Sequence, residues 1–449
     1  MDDATEQVII IGAGFGGLSA AKRLARSGIP FTLIDKRNHH LFQPLLYQVA
    51  TAALAPSDIA VPIRAVLPPG KTDAQILMDR VDGINTEKKL VHTVGGARLR
   101  YSNLIVATGA QYTYFGNDDA WAPHAPSLKS LDDALNIRRR VLLAFERAET
   151  TEDPQLRKRL MTFVVIGGGP TGVETAGALA ELAKATLARE FKNIDPRSAR
   201  VVLIEAMDNV LTAYPEHLGR YAIDKLERLG VEVMTGAPVK AIDGHGVTLD
   251  DQAIETPNVF WCAGVIATPA GEWLGADMAK NGAVEVDAFL RPKGFDDVYV
   301  IGDVSSAKDK DGNPLAALAP VAKQQGDFAA RMIIAKHHSL PEPTPFRYRD
   351  WGTMATIGRS AAVGKFGRLE VRGFFAWLLW GAVHVAYLVG FRNRLSVMIN
   401  WLWSWLTYHK GARLITGPDE ADVQSLDSTT AVEKELDKTV TNLEESVAR

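Results

Sequence analysis

One pattern constrains this chain more than any other: a strand, a glycine turn and a helix in immediate succession, and it occurs twice. Val8-Ile9-Ile10-Ile11 is a β-branched run suited to a strand buried on both faces. It leads directly into Gly12-Ala13-Gly14-Phe15-Gly16-Gly17, and the residues from Leu18 to Leu24 have helical spacing. In such a turn Gly12 permits the tight reversal, Gly14 lets a pyrophosphate approach the backbone, and Gly17 lets the helix pack close to the strand. The helix N-terminus then faces the phosphates. Phe31-Thr32-Leu33-Ile34 reads as the second strand and ends at Asp35, placed to accept ribose hydroxyls.

The second copy starts at Phe163-Val164-Val165-Ile166 and turns through Gly167-Gly168-Gly169-Pro170-Thr171-Gly172 into a helical run from Val173 to about Arg189. Val201-Val202-Leu203-Ile204 then ends at Glu205. That acid is further downstream than the usual ~20 residues, because the helix is longer and a loop over 193–198 intervenes. A lone turn of this kind is weak evidence. Two, each with an acid closing the next strand, specify two dinucleotide sites. The fold class that follows is α/β, with two doubly wound Rossmann-like domains. A carboxylate at Glu205 favours the free ribose hydroxyls of NADH over the extra phosphate of NADPH; Arg200 lies near it in sequence. Two further apolar strands end in small-residue turns, Leu104-Ile105-Val106-Ala107-Thr108-Gly109 and Val298-Tyr299-Val300-Ile301-Gly302-Asp303. Taken alone, either is a plain strand end.

Composition excludes several function classes. A net charge of −3 gives no basic excess for nucleic acid. The one cysteine, Cys262, rules out an internal disulfide framework, a CxxC redox pair and a cysteine-built metal site; no metal is expected. The acidic start and the short apolar run after it do not read as a secretory signal.

The C-terminal third has another character. Between Arg359 and Arg413 stand eight basic residues, a single acid (Glu370), and five of the nine tryptophans: Trp377, Trp380, Trp401, Trp403 and Trp405. Tryptophan mixed with Lys and Arg settles at lipid–water interfaces. At ~100° per residue, Ser396, Asn400, Ser404 and Thr407 share a narrow arc of a helix over 395–408, and apolar residues cover the rest. Core-packing helices, a transmembrane hairpin and an interfacial anchor all accommodate this run. The span 373–391 is barely long enough to cross a bilayer and 395–408 is too short. An interfacial, monotopic amphipathic region fits best.

As a set, the two glycine turns, the Ala-Thr-Gly strand and the Gly-Asp strand resemble the two-dinucleotide-binding flavoproteins. The resemblance implies that Gly12, Gly14, Gly17, Asp35, Thr108, Gly109, Gly302 and Asp303 bind FAD. It gives Gly167, Gly169, Gly172, Glu174 and Glu205 to NADH. The aromatic C-terminus narrows the likeness to the type II NADH:quinone oxidoreductases. Residues Asn38-His39-His40-Leu41-Phe42-Gln43-Pro44-Leu45-Leu46-Tyr47-Gln48-Val49-Ala50 resemble that family's segment beside the flavin. Ala319-Pro320-Val321-Ala322-Lys323-Gln324-Gln325-Gly326 resembles its quinone motif, AQxAxQ, and Phe391-Arg392-Asn393-Arg394 resembles the joint of its membrane anchor.

The resemblance therefore implies a membrane quinone held near Gln48, Ala319 and Gln324, with Glu174, Gln324 and Gln325 as catalytic residues. Pro320 departs from the motif: it has no amide, so only Gln324 and Gln325 are left to donate to a quinone carbonyl. As a helix start, a proline there is equally at home. Glu174 reads either as a proton-delivering carboxyl or as a partner of the helix dipole. His384 and Tyr387 share a face with Trp377 and Trp380, and for His384 plain packing is favoured over a quinone tunnel.

The expected map places the FAD domain in 1–115 and 286–345, with an inserted NADH domain in 162–272. A membrane-binding region over 346–417 and an acidic, disordered tail over 418–449 complete it. The expected protein lies on the cytoplasmic face of the inner (cell) membrane, meets a membrane quinone and the lipid surface, pumps no protons, and leaves a homodimer open. A soluble NADH-dependent flavin or ferredoxin reductase, or an NADH-sensing flavoprotein, are the competing functions.

Overall fold

The two β-branched runs form strands that are buried along their whole length, and a parallel sheet grows from each. The computed structural model describes residues 7–67, 73–407 and 411–417. The N-terminal hexapeptide, Tyr408, Lys410 and the acidic tail lie outside the described residues. The strands that matter are β1 (Val8–Ile11), β2 (Phe31–Asp35), β3 (Ala74–Met78), β4 (Asn103–Val106), β5 (Thr162–Ile166), β6 (Arg200–Ile204), β7 (Val231–Met234), β8 (Asn258–Trp261) and β9 (Val298–Val300). The first sheet has the order β9-β4-β1-β2-β3 and the second β7-β6-β5-β8, every pairing being parallel. In both sheets the chain winds out on one side of the glycine-turn strand and then returns on its other side. Each glycine turn therefore stands at the point where strand order reverses, the place where a crevice opens in doubly wound sheets.

Burial on both faces explains the composition of these strands. Ile9, Ile10, Leu104 and Ile105 in the first sheet, and Val164, Val165, Val202 and Leu203 in the second, are fully buried. Helix α1 (Phe15–Arg26) covers the first sheet with α4 (Ala319–His337) laid across it. The crossing is so close that a Cβ at Gly326 would overlap the Gly16 carbonyl. Helix α2 (Leu46–Ala50) is a buried turn after β2, and α3 (Pro170–Glu181) opens the second unit. The chain reaches the second unit through two helices, Leu131–Thr150 and Pro154–Leu160.

A hairpin sheet follows, with β10 (Thr353–Thr356), β11 (Ala362–Phe366) and β12 (Leu369–Gly373), and delivers the chain to α5 (Phe374–Tyr387) and α6 (Phe391–Thr407). The apolar run over 373–391 is thus broken before its end. Gly390 takes a φ of +88°, and Arg394 Nε and Nη2 donate to the Leu388 and Ala386 carbonyls at the end of α5. At 1.5 Å per residue α5 is about 21 Å long and α6 about 26 Å, against a hydrocarbon core of ~30 Å. Among the described residues no helix is long and apolar enough to cross a membrane.

Helix α6 is inverted relative to an ordinary surface helix. Its polar stripe faces the protein: Ser396 Oγ and Asn400 Nδ2 donate to the buried Asp58 carboxylate at 2.6 and 3.2 Å, and Asn393 Nδ2 donates to the Ser57 and Asp58 carbonyls. Its apolar side chains face outward, and Phe391, Leu402, Trp403 and Leu406 are each at least 60% exposed. Residues Met1–Arg413 form one compact unit, so both sheets and both C-terminal helices belong to the same body.

Removing the Asp58 carboxylate leaves buried hydroxyl and amide donors without an acceptor. Asp58→Ala is expected to cost roughly 2–4 kcal/mol of stability. It should also raise amide hydrogen exchange in α6 selectively, while β1 and β5 keep their protection. Unchanged protection in α6 would show that its apolar contacts alone hold it.

Candidate functional site

The two glycine turns repeat each other in backbone conformation and in what they pack against. Gly12 and Gly167 take φ of +99° and +108°, where L side chains are strained. A Cβ at Gly12 would crowd the Ala107 carbonyl after β4, and one at Gly167 would crowd the Cys262–Ala263 backbone after β8. At Gly14 and Gly169 a Cβ would meet nothing within 4 Å, so the approach to each turn is open. Helices α1 and α3 begin there with no side-chain cap and no acid in the first turn. Free N–H groups and an unopposed dipole make both helix ends fit a pyrophosphate.

The two acids are held alike. Asp35 accepts from Ala13 N at 2.6 Å and Arg37 N at 2.8 Å; Glu205 accepts from Gly168 N at 2.5 Å and Met207 N at 2.9 Å. Each carboxylate is thereby fixed at the rim of its crevice with oxygen lone pairs left over. Arg200 stands at the opposite end of β6 and forms a bidentate pair with Glu232 at 2.8 and 3.0 Å, so it does not neutralise Glu205.

The remaining flavin-side residues converge on the first crevice. Thr108 and Thr268 share a hydroxyl hydrogen bond of 2.6 Å, and Gly109 takes a positive φ of 72°. Gly302 N donates to Gln325 Oε1 at 2.6 Å, and Asp303 stands 3.8 Å from Lys129 Nζ. Gln43 binds the Lys129 carbonyl, and His40 Nδ1 lies 2.9 Å from the Ala13 carbonyl. Burial lowers the His40 pKa to about 4, so the ring is neutral and its Nδ1 carries the proton. The segment from His40 onward is pinned at its start to the first glycine turn, and runs from there into α2.

At α2 it meets a groove of about 720 Å³, measured with its open mouth. Tyr47, Gln48 and Thr51 form one wall. Glu174, Ala178 and Glu181 of α3 form the second, extended by Ala185 and Thr186 where the helix widens into a π turn over Leu182–Thr186. The outer wall is aromatic: Trp377 and Trp380 from α5, with Trp401, Ser404 and Trp405 from α6. Trp401 stacks on Trp380 at 5.3 Å and donates Nε1–H to Gln48 Oε1 at 2.7 Å, while Gln48 Nε2 donates to the Tyr47 hydroxyl at 2.9 Å. The inner and outer walls are therefore joined by hydrogen bonds as well as by packing.

Glu174 is the buried carboxyl of this groove, 8% exposed, with Thr356 N donating to it at 3.3 Å. Burial pushes its pKa up to about 8, and the Thr356 bond opposes the shift only partly. It is the fifth residue of α3, past the first turn where a helix dipole acts, so the dipole reading loses to the groove reading. Burial also pushes the nearby Cys262 thiol up to about 12, which leaves it protonated and without nucleophilic character.

Not every expected residue arrives at this groove. Gln48 and Glu174 line it; Ala319, Gln324 and Gln325 do not. Gln324 is turned to the backbone of Arg349, donating to its carbonyl at 2.9 Å and accepting from its N–H at 3.0 Å. Gln325 is buried and its Oε1 accepts from Gly302 N, so it holds the Gly302 turn. Pro320 stands in the first turn of α4, the helix-start role. His384 packs against Trp380 with ring centroids 4.4 Å apart and binds the Trp380 carbonyl, and burial lowers its pKa to about 4. Sequence reasoning missed Tyr47, Thr51 and Ser404. Only the place of Ser404 on the polar stripe pointed inward.

Comparisons with known proteins bear on the family and the fold. Residues 6–326 match the pyridine nucleotide-disulphide oxidoreductase family, and residues 351–408 match the NDH2 C-terminal domain. Two type II NADH:quinone oxidoreductases of Mycobacterium tuberculosis, Ndh and NdhA, are each 41% identical over 91% of this chain, which spans 90% and 89% of their lengths. The solved structure of NDH2 from Plasmodium falciparum in complex with NADH has the same fold, with a TM-score of 0.82 at 20% identity over 92% of this chain and 100% of that one.

The Glu174 shift has a consequence for stability with a definite sign. Its folded pKa lies above the ordinary value of 4.5, so the native state holds a proton that the unfolded chain releases. Between pH 4.5 and about 8 stability contributed by this group therefore falls as pH rises. Glu174→Gln is expected to raise Tm relative to the parent at pH 8 and to have little effect at pH 4. An equal shift at both values would mean that Glu174 is ionised in the folded protein.

Proposed function

We infer how its own residues serve the reaction from the premise that this chain belongs to the type II NADH:quinone oxidoreductases. It is a flavoprotein enzyme that oxidises NADH, reduces a quinone and pumps no protons. Bound FAD supplies the two-electron relay between nicotinamide and quinone. The observation that carries the reading of the acceptor side is the groove itself: one wall belongs to the nucleotide-binding body and the other to helices that turn apolar side chains outward.

In this reading residues 1–115 and 286–345 carry FAD and 162–272 carry NADH. The α1 N-terminus and Gly14 hold the FAD pyrophosphate, Asp35 its ribose, and the Gly302–Asp303 turn, steadied by Gln325, its ribityl chain. The α3 N-terminus and Gly169 hold the phosphates of NADH. Glu205 holds its ribose hydroxyls and repels the added phosphate of NADPH.

The quinone enters past Trp405 and packs its ring beside the stacked Trp380–Trp401 pair. Gln48, already oriented by Trp401 and Tyr47, turns its amide toward a quinone oxygen. Glu174, which still holds its proton at neutral pH, stands in the second wall as a proton donor. Gln48 lines the groove and Gln324 does not, so we assign the role expected of Gln324 to Gln48. The exposed apolar faces of α5 and α6 would lie in the lipid interface, where a hydrophobic quinone is dissolved. The side of the membrane facing the cytoplasm, where NADH is available, fits this placement. A soluble flavin or ferredoxin reductase would leave those faces without a purpose.

Stopped-flow measurement of the two half-reactions tests the assignment. NADH should reduce the bound flavin faster than NADPH does. Ser404→Trp fills the groove from α6, far in sequence from both glycine turns. It should slow reoxidation by quinone at least tenfold, on the order of the 1–3 kcal/mol cost of overpacking a site, and leave reduction by NADH unchanged. Slowed reduction with intact reoxidation would assign the groove to the nucleotide instead.

A further inference from the structure

The joint between α5 and α6 carries positive charge that the redox reading does not use. Arg394 folds back over the end of α5 onto the Ala386 and Leu388 carbonyls. Between those two residues stands Tyr387, and the ammonium of Lys323 lies 4.3 Å from the centre of its ring. Lys323 sits near the start of α4, which crosses α1 at the Gly16–Gly326 contact and again through an Arg23–Asp327 pair at 3.1 Å. Lys22 precedes Arg23 on α1. Val389, in the same joint, packs on the core that Leu18 and Ala21 of α1 help to form.

The group is short of negative charge. Asp327 is engaged by Arg23 and Arg331. Among the described residues no carboxylate forms an ion pair with Lys22, Lys323 or Arg394. Burial holds the Lys22 pKa below its usual value, and the charges of Lys323, Arg26 and Arg394 add to that effect. Burial and Arg394 act on Lys323 in the same direction. Half-buried cations that repel one another represent a standing cost unless an anion joins them. The apolar half of a matching ligand has its place too: Phe391 and Leu395, on either side of Arg394, are 80% and 46% exposed.

We propose that this joint is a headgroup site for an anionic phospholipid, with Lys22, Lys323 and Arg394 around the phosphate and Phe391 and Leu395 among the acyl chains. Phosphatidylcholine also brings phosphate oxygens, but with a quaternary ammonium that three cations repel; an anionic lipid brings those oxygens to cations on three separate helices without it. The site rests on the reading that α5 and α6 face a membrane, and it makes that docking selective for lipid charge. It lies apart from the groove, whose lining includes none of its residues.

Vesicle flotation of the purified holoenzyme tests the proposal, with pure phosphatidylcholine compared against phosphatidylcholine containing phosphatidylglycerol. The parent should bind the anionic vesicles more tightly. Lys22→Gln with Lys323→Gln should reduce that preference about thirtyfold, as follows from about 1 kcal/mol for each of the two cations near an anionic surface. Binding to neutral vesicles, flavin content and NADH oxidation with a short-chain soluble quinone should stay at parent levels. The paired Lys22→Arg and Lys323→Arg changes, which preserve charge, should restore the preference. An equal loss from Arg392→Gln alone would overturn the site in favour of diffuse surface charge. Full competition by inorganic phosphate at matched ionic strength would reduce it to a free-phosphate site. Loss of soluble-quinone turnover in the double glutamine variant would reassign the lysines to the acceptor. If instead binding to neutral vesicles is absent in the parent, the membrane reading of α5 and α6 fails, independently of these lysines.

Discussion

A helix that must keep its apolar side chains on the outside cannot be held to its protein by the hydrophobic effect alone, and the functional half of this structure depends on how that is solved. Helix α6 is fastened by polar groups: Ser396 and Asn400 on the Asp58 carboxylate, and Asn393 on the neighbouring carbonyls. With the stripe docked, Val397 and Trp401 turn inward and Leu402, Trp403 and Leu406 turn outward. The hydrogen bonds fix the helix rotation, and the rotation decides which tryptophans line a groove and which stay exposed. An apolar stripe could slide by a turn at small cost; a buried carboxylate with two side-chain donors cannot.

That rotation links two halves of the molecule which obey different rules. The nucleotide half is built on backbone. Its open glycines, uncapped helix ends and rim carboxylates are the same device used twice, at the reversal point of each sheet. The acceptor half is built on side chains from four separate stretches: α2, α3 with its π turn, the hairpin after β10, and the two C-terminal helices. The segment from His40 to Gln48 connects them, tied to the Ala13 carbonyl at one end and to Trp401 at the other. Glu174 lies on the helix that the second glycine turn opens, so in the proposed reading one short element serves the nucleotide at its first turn and the groove at its second.

The difference between the halves explains what could be read in advance. Gly12, Gly14 and Gly17 with Asp35, and their counterparts up to Glu205, were legible because a turn of fixed geometry needs those residues at fixed spacing. The polar stripe of α6 was legible from periodicity, but Asp58, its partner more than three hundred residues away, was not. Tyr47, Thr51 and Ser404 carry no local signature; only the tertiary fold makes them neighbours. For the motif around Gln324, spacing gives each residue's place on a helix and says nothing of its bonding: Gln324 pairs with the Arg349 backbone, and the Gln325 Oε1 accepts from Gly302 N. Arg200 and His384 illustrate the simpler outcome, a charged or titratable side chain satisfied by structure alone.

The account stands or falls on where the quinone binds. Photolabelling the membrane-bound holoenzyme with an azidoquinone, followed by peptide mapping, tests this most directly. The groove predicts labels on α2 around Gln48 and on α6 around Trp401 and Trp405, reduced by excess unlabelled quinone and unaffected by NAD+. Labels confined to the start of α4 and the Arg349 strand, with α2 and α6 unmodified, would contradict it.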